Sequence, residues 1–473
     1  MKKGKALKKA NLTVTNTSEE SKKGSAHRRN LKYDTKNKFG SHTLLKCGAA
    51  LGGVSSIAVG SKLLPAALHD GHLVNVLPAT IPLIVAGIPP VSKWMSQHII
   101  NRDVYQKLDS IAHASGLVDY DSTAEKGPGP LGSKPVVAGV LFKYKEIQDG
   151  STSIEVYPRG IKNGDKCGKL IAPFQNAFDS AVYSVEEDYD HFTYTIADVT
   201  KQRFPVSNSM FRPFSMAQHK PMIMIDRKTG FKLKGSGGIL LTGRTGSGKT
   251  NLATYLMLSV CKQLKADLYI IDPKRADLYA LKDYLKDGDK HVASESNQIA
   301  RMLRELNQEM DQRYEQMGNA HDSNTPWGAD YTHYGFKPNL LVVDEVAAML
   351  NDGMTAKEKK EIISGLQQLA LKGRQAGFFT LIIAQRLSAE TMSRDITLQF
   401  GTRIVMGRAD NESYRMAFPM TESVGDLPKV PTGAGYGLIY VDGQSSIRPT
   451  PIAAPDMSNV DVAEAIRLLG HTY

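Results

Sequence analysis

A glycine-rich stretch from Gly243 to Thr250 has the residue types and spacing of a phosphate-binding loop, or P-loop. Its sequence, GRTGSGKT, fits the pattern G-x-x-x-x-G-K-T. Glycines let the backbone curl until its amides point inward at a polyphosphate, where a Cβ would obstruct the approach. Lys249 can then reach the β and γ phosphates, and the Thr250 hydroxyl can join the shell of a Mg²⁺ ion. The residues predicted to contact the nucleotide are Gly243, Arg244, Thr245, Gly246, Ser247, Gly248, Lys249 and Thr250.

A pair of carboxylates forms the second group of candidate catalytic residues. The apolar run from Leu340 to Val343 predicts a buried strand that ends in Asp344 and Glu345. Two acids after a strand mean little alone, but these stand roughly 95 residues after the P-loop, at the edge where parallel sheets bind ligands. We expect Asp344 to hold Mg²⁺ through water and Glu345 to polarise the attacking water, which predicts hydrolysis of ATP.

A third apolar run, from Phe378 to Ala384, has a candidate residue at either end. Gln385 follows it, and its neutral amide could hydrogen-bond the γ phosphate or the attacking water. Arg374 precedes it, and a guanidinium there suits an arginine finger that reaches the γ phosphate of a neighbouring subunit. On the sequence alone, Arg374 fits a surface arginine equally well.

These residues can meet only at one edge of a parallel α/β sheet. Residues 221–456 are predicted to form it, with strands at Ile239 to Leu241, DLYII, TRIVMG and YGLIYV beside the two apolar runs described, at least five strands in all. Apolar residues at helical spacing predict an amphipathic helix from Ile299 to Met317. In the polar loop that follows, Trp327, Tyr331 and Tyr334 are expected to face water or a neighbouring subunit.

The net charge of +11 is unevenly distributed. Up to Lys46 there are 13 Lys or Arg against three acidic residues, so this segment supplies +10 of the total. The remainder is nearly neutral, and affinity for DNA therefore does not follow from the basic composition. Residues 1–41 are polar and lack apolar periodicity, which predicts a disordered basic tail. A solvated tail and one that binds anionic lipid or nucleic acid both remain open.

Residues 42–96 are predicted to form a transmembrane helical hairpin. From Leu73 to Ser92 the chain runs 20 residues without a charge, about the length that crosses a ~30 Å hydrocarbon layer. The preceding run, Cys47 to Leu68, is weaker because Lys62 interrupts it. The positive-inside rule places both termini and the α/β unit at residues 221–456 in the cytoplasm of a multi-pass protein of the cell membrane. The alternative is a buried hairpin of a soluble domain, since four prolines make the second run an imperfect helix.

Two smaller regions flank the predicted motor. Residues 97–220 contain four stretches rich in β-formers and one of helical spacing, which predicts a small mixed α+β domain without a catalytic constellation. Residues 457–473 predict a short C-terminal helix. The three cysteines are far apart and in no metal-binding spacing, which favours buried thiols in a reducing cytosol.

The motor region resembles the FtsK/SpoIIIE family of DNA translocases over roughly residues 222–455. The resemblance is carried by GRTGSGKT, IIDPKRADL, EMDQRYEQM, LLVVDEVAAML, LKGRQAGFFTLIIAQR, GTRIVMG and TGAGYGLIYVDG, in that order. It implies a RecA-like motor that assembles as a hexameric ring and threads DNA through its pore. The residues that would serve this motor are Lys249, Thr250, Asp344, Glu345 and Gln385. It also implies an intersubunit arginine in the segment of Arg374, with Arg403 as a second candidate.

The plan of tail, hairpin, small domain and one motor is similar to the TcpA-like coupling ATPases of Gram-positive conjugative elements. We expect the helix at 457–473 to leave no room for the winged-helix module of septal chromosome translocases. The leading hypothesis is a membrane-anchored, ATP-driven DNA translocase that couples a relaxase to a secretion channel in conjugative transfer. A chromosome-partitioning translocase is the alternative. A protein-export ATPase is disfavoured by the single P-loop, and a nucleotide-gated membrane scaffold by the presence of Glu345 and Gln385.

Overall fold

The computed structural model describes residues 30–34, 102–123, 136–147, 149–212, 222–233, 236–351, 354–389, 392–419, 427–444 and 446–469. The transmembrane hairpin predicted at 42–96 lies outside these ranges. Among the helices within them, none is both long enough and apolar enough to cross a membrane.

The small domain is a five-stranded antiparallel sheet with two helices on one face. Its strand order is β1-β4-β5-β7-β6, and β2 pairs with β3 separately. Buried residues alternate along the strands, as Ile154 and Val156 do on β5, and they pack with Leu108 of α1 and Phe174 of α2. The strands and helix predicted between 136 and 197 are all present. The elements are β1 (Asn30–Asp34), α1 (Arg102–Ala114), β2 (Val118–Tyr120), β3 (Val136–Gly139), β4 (Leu141–Glu146), β5 (Thr152–Tyr157), α2 (Ile171–Phe178), β6 (Ala181–Glu187) and β7 (Phe192–Ala197).

Strand β1 corrects the prediction that residues 1–41 are disordered throughout. It pairs antiparallel with β4, with Asn30 opposite Lys145 and Asp34 opposite Leu141. A five-residue strand in a polar segment has little intrinsic preference for extended structure. The free edge of β4 supplies the backbone partners, and composition alone does not reveal such an edge.

The motor domain holds an eight-stranded sheet of order β12-β11-β13-β14-β10-β15-β16-β17. The first six strands run parallel, and β16 and β17 are antiparallel additions. The elements are β8 (Met222–Met224), β9 (Gly230–Lys232), β10 (Gly238–Gly243), α3 (Lys249–Leu264), β11 (Asp267–Ile271), α4 (Gly288–His291), β12 (Val292–Ala293), α5 (Ser296–Asn319), β13 (Asn339–Asp344), α6 (Val346–Asn351), α7 (Ala356–Ala376), β14 (Phe378–Ala384), α8 (Arg394–Thr397), β15 (Thr402–Met406), α9 (Asn411–Ala417), β16 (Tyr436–Val441), β17 (Thr450–Ala453) and α10 (Val462–Leu469).

The order of the parallel strands is that of a RecA-like P-loop fold. The strand that enters the P-loop, β10, is separated from the strand of the acidic pair, β13, by β14. In register, Thr242 of β10 lies opposite Ala384, and Asp344 of β13 lies opposite Ile383. The three strands therefore end together, and the residues that follow them meet at one edge.

Helices cover both faces of this sheet, as a buried parallel sheet requires. On one face α3 contributes Leu252, Leu256 and Val260 to the core. On the other, α5 and α7 pack against each other and the strands through residues such as Leu306 and Leu366. The predicted amphipathic helix is confirmed as α5. A capping box at Thr355 and Glu358 begins α7, and Gly377 in the left-handed region ends it.

The boundary between the two domains differs from the predicted position at residue 220. Val206 and Phe211 are buried in the motor core, which also contains Ala465 and Ile466 of α10. The C-terminal helix is therefore part of the motor. The small domain and the motor domain also contact each other directly. The amide of Ile447 in the motor domain donates to the carbonyl of Val185 on β6 over 3.0 Å.

Candidate nucleotide-binding site

The P-loop lies between β10 and α3 and is shaped by its glycines. Gly246 and Gly248 adopt φ angles of +80° and +88°, which residues with a Cβ rarely adopt. A Cβ on Gly248 would also lie 2.7 Å from the amide nitrogen of Gly435. Lys249 is the first residue of α3, so its ammonium and the open amides of the first helical turn serve the same space.

A second loop, just before β16, holds the P-loop from outside. The amide of Gly435 donates to the carbonyl of Ser247 over 2.8 Å. Arg203, from the segment that follows the small domain, donates to the carbonyl of Ala434 over 2.9 Å and lies over the ring of Tyr436. This clasp was not predicted from the sequence, because its contacts join segments more than 180 residues apart.

Lys249 and Asp344 are perturbed by burial and by each other. Burial lowers the pKa of the Lys249 amine, although Glu345 and Asp344 oppose this shift. Burial also raises the pKa of the Asp344 carboxyl, to which Asp272 and Glu345 add, whereas Lys249 lowers it. Both groups are therefore poorly hydrated, and an anion beside the amine or a cation beside the carboxylates would favour their charged forms.

Glu345 is held in an unusual conformation at the end of β13. Its φ angle is +59°, in the left-handed region, and the residue as a whole is 6% exposed. Its backbone amide donates to the carbonyl of Ile383 over 2.9 Å, and its Oε1 accepts from the backbone amide of Gln385 over 3.5 Å. Its Oε2 is buried with no hydrogen-bond partner among the described residues. Such backbone strain is often stored at functional sites.

Asp272 and Lys274 complete this edge from β11, and the sequence analysis did not select them as site residues. Asp272 is fully buried, and its carboxylate accepts from the amides of Lys274, Ala276 and Tyr279 at 2.9 to 3.1 Å. The Lys274 ammonium lies 3.6 Å from Oε2 of Glu345. Their signal was present in the segment IIDPKRADL, but only the pairing of β11 with β13 brings it to the acidic pair.

Arg374 lies at the opposite edge of the sheet. It is exposed in the last turn of α7, and a Cβ on Gly237, which precedes β10, would lie 4.0 Å from its Cβ and Cδ. Gly237 precedes Gly243, the first residue of the P-loop, by six residues along β10, which corresponds to about 20 Å at 3.3 Å per residue. Arg374 therefore does not reach the nucleotide site of its own subunit, and its role toward a neighbour stays a prediction.

Arg403 requires a correction, because its side chain is only 1% exposed. It lies within β15, opposite Leu240 in the middle of β10. Its guanidinium donates to Asp442 over 2.5 Å and to the carbonyl of Leu398 over 2.9 Å, and it lies over the ring of Tyr440. These contacts occupy Arg403 inside the subunit, so it is not placed to act as a finger on a neighbour.

The residues at the carboxyl edge fit a nucleoside triphosphate with its metal ion. A Cβ on Gly243 would lie 2.7 Å from the carbonyl oxygen of Met406, so only glycine permits this close approach. The Ser247 hydroxyl is buried with no hydrogen-bond partner among the described residues, and the P-loop could direct it at a ligand. Thr250 is exposed at the start of α3, and Asp344 is half-buried. The hydroxyl and carboxylate oxygens of this pair are the hard ligands that Mg²⁺ prefers.

Comparison with known proteins agrees with this geometry. Residues 208–326 match the model of the FtsK/SpoIIIE family. This part of the chain is therefore similar to the FtsK/SpoIIIE family. The matched segment includes the P-loop, α3, the Asp272 loop and α5. The resemblance that the sequence indicated is thereby confirmed.

Two curated proteins are similar to part of the chain. The FtsK domain-containing protein YdcQ of Bacillus subtilis is 37% identical over 201 residues, which are 42% of this chain and 40% of YdcQ. The DNA translocase FtsK of Bradyrhizobium diazoefficiens is 27% identical over 206 residues, with 35% of this chain and 24% of FtsK covered. The chain thus matches less than half the length of either relative.

Two solved structures are also similar. The monomer of the pCW3 conjugation coupling protein TcpA with ATPγS has a TM-score of 0.45 at 17% identity, covering 72% of this chain and 95% of that one. The cytoplasmic domain of the type VII secretion ATPase EccC of Thermomonospora curvata has a TM-score of 0.43 at 19% identity, covering 57% and 33%.

Proposed function

We propose that this protein is a membrane-anchored ATPase that moves DNA, and that it acts as the coupling protein in conjugative transfer of a plasmid or integrative element. The observation that carries the ATPase is the meeting of Lys249 and Glu345 at one sheet edge, with β14 and Gln385 between their strands. A P-loop alone would only bind nucleotide, whereas a buried carboxylate aligned beside it supplies a base for hydrolysis.

The residues divide the chemistry of hydrolysis among them. The P-loop amides and Lys249 bind and orient the β and γ phosphates. Glu345 accepts the proton of a water molecule as the water oxygen bonds to the γ phosphorus and the bond between the γ phosphorus and the bridging oxygen breaks. The side-chain amide of Gln385 would orient that water. Mg²⁺, when bound near Thr250 and Asp344, would supply charge neutralisation across the phosphates. The products are ADP and inorganic phosphate.

The position of Arg374 supports a ring of subunits, because Arg374 lies at the edge of the sheet remote from its own P-loop. A neighbour that presents its nucleotide edge to Arg374 would complete each site, and closed symmetry would repeat this contact around a hexamer. Contact with DNA would come from basic side chains after the carboxyl edge. Lys357 and Lys360, in the first turns of α7, and Arg394, at the start of α8, are exposed, and Lys359 is half-exposed. Such residues bind phosphates with little sequence preference.

The conjugative role rests on the plan of the chain. The basic tail and the predicted hairpin would hold one motor at the inner face of the cell membrane. There it could receive DNA bound to a relaxase and deliver it to a channel. A relaxase gene beside this gene would support that role over chromosome partition.

ATPase assays on the full-length protein in detergent or nanodiscs test the proposal. We expect ATP hydrolysis that duplex or single-stranded DNA stimulates, falling steeply with salt because the contacts are to phosphates. Lys249→Ala should lower kcat at least about 10²-fold. Replacing Lys357, Lys359, Lys360 and Arg394 by alanine should remove the stimulation and leave the basal rate. Hydrolysis that neither form of DNA stimulates would rule out the DNA motor.

A further inference from the structure

The carboxylate of Glu345 has one cationic neighbour that the P-loop does not provide. The Lys274 ammonium lies 3.6 Å from Oε2, the buried oxygen without a hydrogen-bond partner. Lys274 is 44% exposed at its side chain, whereas Glu345 is 8% exposed at its side chain. A buried carboxylate is costly unless a charge or a donor compensates it. Lys274 is therefore placed to pair with the carboxylate and to fix its direction.

The loop that carries Lys274 is built to be rigid. The Asp272 carboxylate accepts three amides of the loop, as described above, and the side chain itself is inaccessible to solvent. Arg275, with φ of +49°, donates to Ser294 over 3.2 Å and to Glu295 over 2.8 Å. Fixed at both ends, the loop gives the Lys274 side chain a constant origin beside β13.

The direction from which Lys274 arrives separates it from the phosphate ligands. It extends from β11, which adjoins β13 on the side away from β10. Lys249 extends from the β10 side, so the pair Asp344 and Glu345 lies between the strands that carry the two lysines. Lys274 therefore approaches the Glu345 carboxylate from the side opposite Lys249, although it is close enough to contribute to the lowered pKa of the Lys249 amine.

We propose that Lys274 is the positioning residue of Glu345. Its ammonium holds Oε2, so that the other oxygen, Oε1, stays beside Gln385, where the attacking water would lose its proton. A residue in the left-handed region persists only where its surroundings hold it, and the contact with Lys274 adds to the bond from the Glu345 amide to Ile383 in holding it. This inference rests on the proposed ATPase function and adds a residue to it.

A double-mutant cycle on the full-length protein tests the inference. We expect Lys274→Met to lower kcat for ATP about 10²-fold, the cost of a misplaced base, and to change KM less than about threefold. Lys274→Arg should retain kcat within about tenfold of wild type, because it keeps the positive charge. Some loss is expected, because the guanidinium differs from the ammonium in length and shape. In a Glu345→Gln background, Lys274→Met should cause no further loss. Lys286→Met, at an exposed lysine between β11 and α4, is the matched control.

Two results would overturn the inference. One is a tenfold or larger loss of affinity for a non-hydrolysable ATP analogue in Lys274→Met, which would make Lys274 a phosphate ligand. The other is an unchanged kcat in that variant, or an equal loss in the Glu345→Gln background. Thermal unfolding of each variant separates these outcomes from misfolding. A wild-type protein without ATPase activity would refute the proposed function itself, whereas an active wild type with an unaffected Lys274→Met refutes only the role of Lys274.

Discussion

The two edges of the motor sheet are built from the same strands but differ in content. At the carboxyl edge, Glu345 and Lys274 lie close enough to Lys249 and Asp344 to contribute to the shifted pKa values of those two groups. At the amino edge, Arg374 is an exposed cation beside the start of β10. Parallel strands collect loops and helix N-termini at the carboxyl edge, which makes that edge suited to anions. The amino edge can contribute only to a site that another molecule provides.

Each subunit is therefore expected to contribute to two nucleotide sites. Its carboxyl edge forms its own site, and its Arg374 completes the site of a neighbour. Arg374→Ala should lower kcat about 10³-fold, the scale of a missing arginine finger. Glu345→Gln should also lower it, by about 10² to 10⁴-fold. In an equal mixture, a Glu345→Gln subunit can lend its Arg374 to a neighbour whose Glu345 is intact, and roughly a quarter of the interfaces in a ring become complete. We expect ATPase activity to recover on mixing.

Steady-state hydrolysis, measured after the two variants are mixed and re-assembled, checks this expectation. Each variant alone is the control, together with gel filtration to show that mixed oligomers form. Mixed oligomers without recovered activity would mean that Arg374 does not act across an interface.

Arg403 differs from Arg374, because it lies in the interior of the sheet and has a structural role. Asp442→Ala leaves the buried guanidinium without its counter-charge and should lower the free energy of unfolding by about 3 kcal/mol. Arg403→Met removes the buried charge and retains bulk, so it should cost only about 1 to 2 kcal/mol. Urea unfolding followed by circular dichroism measures both. An Arg403→Met protein of wild-type stability that cannot hydrolyse ATP would restore Arg403 as a catalytic candidate.

The smallest expected effect concerns the clasp on the P-loop. A Cβ on Gly435 would lie 2.0 Å from Nη2 of Arg203, at a φ of +88°. Gly435→Ala should therefore loosen the contact with Ser247 and raise KM for ATP about fivefold, which corresponds to roughly 1 kcal/mol. ATPase titrations measure it. Gly443→Ala is the matched control, since Gly443 has a φ of +75° but open space around it. Equal effects of the two variants would mean that backbone strain alone is responsible.

Aromatic residues of one loop show where sequence patterns stop being informative. Trp327 is fully exposed, as expected, but Tyr331 is only 4% exposed and so corrects the expectation that it faces water or a neighbour. Its ring packs edge-on to Phe379 and covers Gly377. A polar loop contains no periodicity from which one buried ring can be distinguished from its exposed neighbours.

The sequence by itself determined the P-loop, the acidic pair, the strands that carry them and the long amphipathic helix. These depend on local spacing, and apolar periodicity specifies which side of each element is buried. Only the tertiary structure decided that Lys274 meets Glu345, that Gly435 holds the P-loop and that Arg403 is buried while Arg374 is exposed. Each of these depends on strand order and on contacts between distant segments. A residue's type states what it can bind, but the neighbours that the fold brings to it decide what it does bind.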